Sequence, residues 1–295
     1  MPSESAAASS RLDRIPAVWL VVGGILSVQF GAAIAKNLFG LVPPTAMVWM
    51  RLATSAIIFL IIVRPSFRGR SRTDWWVALG FGVALMTMNW AIYQSFAEIP
   101  LGVAVTIEFL GPLAVAVAGS RRPRDLIWVA LAGLGVALLG FSPVGLTVRG
   151  ALFALLAGAA WAAYILLSKQ TGQRWPGLSG LAVASLVGFV VLAPPAIHEA
   201  GAVLLRPEVL VLGLAVGLLS SVIPYSLELT ALRRISPRLF GILMSLEPAA
   251  AALAAMIVLR EWLTFTQWLA LVCVVTASVG ATRTSPPPRD EPIPD

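Results

Sequence analysis

The sequence predicts an all-α polytopic membrane protein, with ten transmembrane helices arranged as two inverted five-helix repeats. Composition is the first observation behind this prediction. Hydrophobic residues make up 58% of the 295 residues, charged residues make up 12%, and the mean hydropathy is +0.88. Soluble domains carry roughly 25% charged residues, so a chain this apolar could not cover a water-exposed surface. An internal repeat and the alternation of positive charge between loops are the second and third observations.

Ten apolar stretches account for most of the chain. Each is about 20 residues long, which is the length that a helix needs to cross a bilayer. We expect the spans near residues 16–36, 45–63, 75–97, 101–119, 126–142, 150–168, 179–197, 209–232, 239–259 and 264–282.

The repeat divides these spans into two groups of five, at residues 16–142 and 150–282. An offset of 136 residues aligns Pro112 with Pro248, and an offset of 133 aligns Lys36 with Lys169. Because five is odd, the second group must enter the membrane from the opposite side, as in carriers built from inverted repeats. Residues 1–15 and 283–295 are then predicted to be tails, the second of them disordered.

Positive charges fall in alternate loops. With the N-terminus placed inside, 16 of the 21 Lys and Arg residues lie on the cytoplasmic side and four lie outside. The positive-inside rule therefore predicts that both termini are cytoplasmic and that residues 142–149 face outward. The net charge of +7 is spread over these loops rather than gathered on one surface, which argues against a nucleic-acid partner.

Three charged residues lie well inside predicted spans, away from the span ends: Arg51, Glu108 and Glu247. A charge at a helix centre costs about 2.5–3.5 kcal/mol on the insertion scale, so it is kept only when it is paired, hydrated or used. One interpretation is a buried ion pair, for example of Arg51 with a glutamate. The other is a carboxyl group that faces a central cavity. Burial disfavours its charged form, so that it could load and release a proton.

Two prolines are predicted to kink the spans that carry the glutamates. Pro112 and Pro248 follow Glu108 and Glu247 and occupy equivalent repeat positions. Proline lacks the N–H that would pair with a carbonyl one turn earlier, which for Pro112 is the carbonyl of Glu108. Within a bilayer such a carbonyl must be satisfied or must line a cavity.

Polar and aromatic side chains near these residues are candidates for the wall of a substrate and proton pathway. Asn89 and Tyr93 share one helical face in the third span, and Tyr225 and Glu228 share one in the eighth. Packing against lipid is the alternative for the aromatic residues, and pairing with a following arginine is the alternative for Glu228. The remaining candidates are Trp161, Tyr164 and Gln29.

Lys36 and Lys169 are the two lysines of the chain and lie at the ends of equivalent spans. They could be anchors that extend to the membrane surface. Alternatively they could be gating residues at the two mouths of a pathway, because a buried lysine, unlike an arginine, can lose its proton.

The sequence contains no pattern typical of a cofactor or metal site. Cys273 and His198 are each the single residue of their type, and no phosphate-binding P-loop is present. We therefore expect neither a metal nor a cofactor, and no enzymatic activity. A channel or a structural membrane protein remains an alternative to a carrier.

Several motifs resemble the EamA family of the drug/metabolite transporter superfamily, in particular its bacterial threonine/homoserine exporters. The run from Val105 to Ala116 resembles the motif of the fourth span, and residues 120–125, 224–228 and 240–249 resemble further segments of the family. The resemblance covers about residues 15–282. The two glutamates are not repeat-equivalent, because Glu108 aligns with Met244 and Glu247 aligns with Gly111.

The resemblance implies a bacterial inner-membrane carrier that exports small neutral amino acids and is driven by proton entry. The expected partners are a small-molecule substrate, protons and membrane lipid, and a homodimer is one assembly left open. Efflux of another metabolite or drug, such as a purine or an amphipathic amine, is the alternative within the same class.

Overall fold

The computed structural model describes residues 15–118, 126–140 and 146–284, and within these ranges the chain is helical and contains no strand. The two terminal tails, most of the loop that joins the halves and the motif at 120–125 lie outside the described residues. In the first half the helices are α1 (Ala17–Asn37), α2 (Pro44–Val63), α3 (Arg72–Glu98), α4 (Leu101–Glu108), α5 (Leu110–Ala118) and α6 (Leu126–Gly140). The second half contains α7 (Val148–Arg174), α8 (Ser179–Ala200), α9 (Pro207–Gly217), α10 (Ile223–Leu232), α11 (Pro237–Met244), α12 (Glu247–Ala254) and α13 (Phe265–Thr284).

Several helix starts follow from local sequence. Ser71 caps α3 in a capping box: its Oγ accepts the Asp74 N–H, and the Asp74 carboxylate accepts the Ser71 N–H. The Thr147 side chain accepts a hydrogen bond from the Gly150 N–H at the start of α7, at 3.0 Å. Pro44 begins α2 at a position where a helix needs no N–H donor.

Nine helical segments of the described chain are long and apolar enough to cross a membrane. The protein is thus a multi-pass membrane protein, and large apolar side chains such as Trp76 (70% exposed) and Phe265 (81% exposed) cover its outer surface, where lipid can solvate them. The helix α6 has 15 residues and is shorter than these nine. Because residues 141–145 that follow it are not described, a tenth span remains a prediction.

The spans expected at 101–119 and 239–259 are each divided into two helices. The helix α4 ends at Glu108 and α5 begins at Leu110, two residues before Pro112. Similarly, α11 ends at Met244 and α12 begins at Glu247, directly before Pro248. Each proline removes the N–H that an unbroken helix would need across the junction.

A wide turn interrupts the eighth span as well. Residues Leu218–Val222 form a π-helical turn between α9 and α10. Pro224 lies four residues after Ser220 and has no N–H to donate to the Ser220 carbonyl, so this carbonyl is free to bind another group. Such π turns are frequent at functional sites.

The main helix contacts join the first half to the second. The helix α3 packs on α7 and α8, α2 packs on α8 and α9, α1 packs on α10 and α12, and α6 packs on α13. The helix α7 also packs on α4 and α5. With α6 counted as the predicted fifth span, these pairs are unchanged when each span is exchanged with the span five places along the chain. Close approach needs small residues: a Cβ on Gly111 of α5 would overlap the Gly158 carbonyl of α7.

Candidate functional site

A buried cavity of about 120 Å³ lies between the two halves. Its walls come from α1, α2, α3, α4, α7, α10, α11 and α12. All ten predicted pathway residues line it: Gln29, Arg51, Asn89, Tyr93, Glu108, Trp161, Tyr164, Tyr225, Glu228 and Glu247. The spans therefore bring together side chains that are more than 200 residues apart in the sequence.

Arg51 is fixed by the π turn. Its Nε donates a hydrogen bond to Ser221 Oγ at 2.7 Å, and its Nη2 donates one to the Ser220 carbonyl at 2.5 Å. Arg51 thus satisfies the carbonyl that Pro224 leaves without a helical donor. Among the described residues Arg51 has no salt-bridge partner, so the ion pair with a glutamate that one interpretation predicted is not formed. Its Nη1 group has no hydrogen-bond partner there and can bind a ligand.

Three carboxyl groups surround this guanidinium. Glu108 ends α4, Glu247 begins α12 and Glu228 lies in α10; Glu108 and Glu247 are each 7% exposed. Gln29 Nε2 donates a long hydrogen bond to Glu247 Oε2 at 3.5 Å. Glu228 faces the cavity and forms no ion pair with a described arginine, which is contrary to the alternative of pairing with Arg233 or Arg234. The cavity thus holds more acid than base.

Aromatic side chains form the remaining walls. Trp161 meets Phe109 edge to face at 5.4 Å between ring centroids, and Tyr164 stacks on Phe81 at 4.7 Å. The Tyr93 ring lies 5.7 Å from the Arg51 guanidinium carbon. Asn89 Nδ2 donates to the Leu85 carbonyl at 2.7 Å. This contact to its own helix fixes the orientation of the Asn89 amide.

A second, larger cavity of about 650 Å³ continues from the first. Five residues line both cavities: Trp161, Tyr164, Tyr225, Glu228 and Met244. The larger cavity, which Pro112 also lines, extends to Gly172, Leu232 and Thr282 near the ends of α7, α10 and α13. These ends carry Arg174, Arg233 and Arg283 and belong to the face that was predicted to be cytoplasmic.

Ion pairs join chain segments at the opposite face of the molecule, which was predicted to face outward. Lys36 Nζ lies 2.6 Å from Glu261 Oε1 and donates to the Ile99 carbonyl at 2.8 Å. Glu261 Oε2 accepts the Leu101 N–H at 2.9 Å, at the start of α4. A second pair joins Arg149 and Glu98 at 3.3 Å. Lys169, at the other face, is exposed and forms no ion pair within the described chain.

Sequence reasoning missed four residues of the site: Ser220, Ser221, Pro224 and Glu261. Pro224 carried a usable signal, because the rule applied to Pro112 also exposes the Ser220 carbonyl. Glu261 carried none, since a glutamate in an outer loop is ordinary and its partners are distant in the chain.

A chain that crosses the membrane many times and encloses a polar cavity between two halves has the architecture of a membrane transporter. Comparison of this chain with known proteins leads to the same class. The chain is 44% identical over 276 residues to the threonine/homoserine exporter RhtA of Salmonella typhimurium strain LT2, covering 90% of this chain and 92% of that protein. With RhtA of Escherichia coli strain K12 the identity is 43%, covering 92% and 94%.

The EamA-like transporter family matches residues 148–283. The chain belongs to this family, and it is a transporter rather than an enzyme. An uncharacterized transporter of Bacillus subtilis, YwfM, is 30% identical over 160 residues, covering 52% of this chain and 54% of its own. A crystal structure with 19% sequence identity shares the fold, with a TM-score of 0.63 over 91% of this chain and 97% of that one.

Proposed function

We propose that this protein exports threonine, homoserine and similar small neutral amino acids in exchange for protons, by alternating access. One observation carries the proposal: a single buried cavity presents a guanidinium and three carboxyl groups. A zwitterion needs a cationic donor for its carboxylate and an anionic acceptor for its ammonium. Arg51 Nη1 can bind the first, and Glu108 or Glu247 can bind the second.

The size of the inner cavity supports a small substrate. Its volume of about 120 Å³ is below the range of roughly 300–1,000 Å³ that is typical of pockets for drug-sized ligands. This favours an amino acid over a purine or an amphipathic amine. The larger cavity then serves as the access path.

The excess of carboxyl groups supports coupling to protons. A proton and the substrate ammonium would compete for the same buried oxygen atoms, which is the basis of exchange. Glu247 begins a helix and Glu108 ends one, so the helix dipoles favour a negative charge at the first and disfavour it at the second. We therefore assign the exchanged proton to Glu108.

The packing of the halves supports alternating access. Two inverted repeats of five spans would produce a pairing that stays the same when the repeats are exchanged. In this arrangement the chain has ten spans, and both termini lie in the cytoplasm of a bacterial inner membrane. On this assignment the inner cavity reaches the cytoplasmic face, while the pair of Lys36 and Glu261 holds the outer face shut. Lys169 would act at the inner mouth in the opposite state.

Counterflow in liposomes tests the proposal. Liposomes that contain the purified protein are loaded with unlabelled threonine, homoserine, adenine or an amphipathic amine, and entry of the same labelled compound is followed with and without a pH gradient. We expect saturable counterflow of both amino acids, and net accumulation only with the gradient. Counterflow of adenine or the amine alone would support the alternative substrate class, and flux without saturation would indicate a channel.

A further inference from the structure

Two polar atoms in the wall of the inner cavity have no hydrogen-bond partner among the described residues. They are Gln29 Oε1 and the Tyr93 hydroxyl, and their side chains are 4% and 0% exposed. Buried polar atoms of this kind are rare in native proteins, because each unmade hydrogen bond costs stability. A bound ligand that completes both hydrogen bonds would remove this cost.

The rest of each side chain is held in place, so these atoms cannot turn elsewhere without losing other contacts. Gln29 presents its Nε2 to Glu247 Oε2, and two negatively polarised oxygens would repel each other in the reverse orientation. The Tyr93 ring contacts Phe39 at 5.9 Å and Phe96 at 5.5 Å between centroids. One fixed acceptor and one fixed hydroxyl are therefore left unpaired on residues that line the cavity.

We propose that Gln29 and Tyr93 form a subsite for the side-chain hydroxyl of the transported amino acid, and that this subsite sets the selectivity of the carrier. The proposal rests on the function proposed above. A hydroxyl group can donate to Gln29 Oε1 and accept from the Tyr93 hydroxyl at the same time. Valine has the shape of threonine but no hydroxyl, so it would leave both atoms unpaired.

Sites built to bind a substrate hydroxyl reject the analogue that lacks it far more strongly than apolar pockets reject a missing methylene. We therefore expect the wild-type protein to prefer threonine over valine, and homoserine over norvaline, by about tenfold or more in half-saturation concentration. The preference would come from the cost of the two unpaired atoms and not from the volume of the cavity.

The test measures this ratio by competition of each unlabelled amino acid against labelled threonine counterflow in liposomes. The variants are Tyr93→Phe, which removes only the hydroxyl, and Gln29→Met, which removes the acceptor together with the long hydrogen bond to Glu247. Ser185→Ala is the matched control, because Ser185 Oγ is also buried and unpaired but lies outside both cavities. Valine transport in each variant reports on folding.

We expect each of the two variants to lower the preference for threonine over valine, measured as the ratio of the valine to the threonine half-saturation constant, by about threefold or more. Tyr93→Phe should leave the valine constant nearly unchanged, and Ser185→Ala should keep the wild-type ratio. An equal weakening of threonine and valine in Tyr93→Phe would overturn the subsite, since it would place Tyr93 on the shared carboxylate or ammonium. An unchanged ratio in both variants, or a ratio near one in an active wild-type protein, would also overturn it while leaving the exporter function intact. A wild-type protein without saturable amino-acid counterflow would overturn both proposals.

Discussion

Arg51 shows how one residue can keep its charge inside a membrane protein. Two of its nitrogens donate hydrogen bonds to Ser220 and Ser221. These N–H groups are thereby satisfied, and the guanidinium keeps its charge. Arginine suits this role because its planar group offers several donors in a fixed geometry, and lysine offers a single point charge. The positive charge is thus left available to a substrate carboxylate.

We expect Arg51→Lys to raise the apparent Michaelis constant for threonine by about tenfold, with a smaller effect on the maximal rate. Lysine keeps the charge but cannot bind Ser220, Ser221 and a carboxylate together. Threonine counterflow in liposomes measures both constants. Arg149→Lys is the matched control, because Arg149 is exposed and lies outside the cavity. An unchanged constant in Arg51→Lys would remove Arg51 from the substrate site.

Glu108→Gln is expected to abolish threonine accumulation driven by a pH gradient, because a neutral amide cannot bind and release a proton. Threonine counterflow, which needs no net proton movement, should be affected less. Glu247→Gln should weaken substrate binding or uncouple transport. Uptake into inverted vesicles with an imposed gradient measures coupling, and immunoblotting of the membranes checks insertion. Wild-type accumulation in both variants would show that these carboxyl groups only contribute to packing.

At the scale of the helices, the interruptions between them create the site. The breaks at Glu108 and Glu247, and the π turn at Leu218–Val222, place two carboxyl groups and one carbonyl at the cavity. Irregular backbone at this depth is tolerated where it lines a cavity or is bound by protein groups. The site therefore depends on prolines that would only weaken an ordinary helix.

Pro224→Ala tests this dependence. Alanine restores an N–H that can pair with the Ser220 carbonyl and can remove the π turn, so Arg51 would lose one of its two anchors. We expect the helix to be more stable and the apparent affinity for threonine to fall several-fold. Pro194→Ala is the control, since Pro194 lies inside α8 and lines neither cavity. Equal affinities in both variants would contradict a role for the π turn.

The ends of α1 and α4 meet at Lys36, Glu261 and the Ile99 carbonyl. If this cluster closes the outer face, Lys36→Arg should impair threonine counterflow, because the bulkier guanidinium does not fit a site built around one ammonium. Glu261→Gln should impair it as well, because the ion pair is lost while the Leu101 contact can persist. Normal counterflow in Lys36→Arg, Lys169→Arg and the double variant would instead identify both lysines as membrane anchors.

The whole molecule is an interlocked pair of halves. Each of the main helix contacts crosses between them, so a change in access must move one set of helices against the other and not hinge two separate bodies. Orientation in the membrane decides which cavity end receives substrate. The arginine distribution predicts this orientation, and direct measurement can test it.

Cysteine labelling tests the orientation in a Cys273→Ser background. Gln173 and Arg206 are both exposed and lie on the two sides of α8: Gln173 is in the last turn of α7, and Arg206 directly precedes α9. In intact spheroplasts an impermeant thiol reagent should modify Arg206→Cys at once and Gln173→Cys only after lysis. The reverse pattern would invert the topology, and with it the assignment of the cavity opening to the cytoplasm.

The sequence alone determined the class of protein and the candidate residues. A bilayer makes every intramembrane charge costly, so the few that remain, such as Arg51 and Glu108, stand out without any structure. The internal repeat and the motifs likewise indicated the family. Prediction was less detailed where a proline lies in a span. Kinks were expected at Pro112 and Pro248, but where the helices end, at Glu108 and Met244, was not, because apolarity does not report the hydrogen bonds along a backbone.

Only the tertiary structure decided which of these residues meet. Arg51 and Ser221 are 170 residues apart, and Ser27 Oγ contacts the Leu219 carbonyl across 192. Local patterns fix which face of a helix is polar but carry no information on which other helix that face contacts. Partner choice depends on the packing of all spans together, through close approaches such as that of Gly111 and Gly158. The partners of Arg51 and Lys36, and the two unpaired atoms of Gln29 and Tyr93, were therefore visible only once the halves were packed.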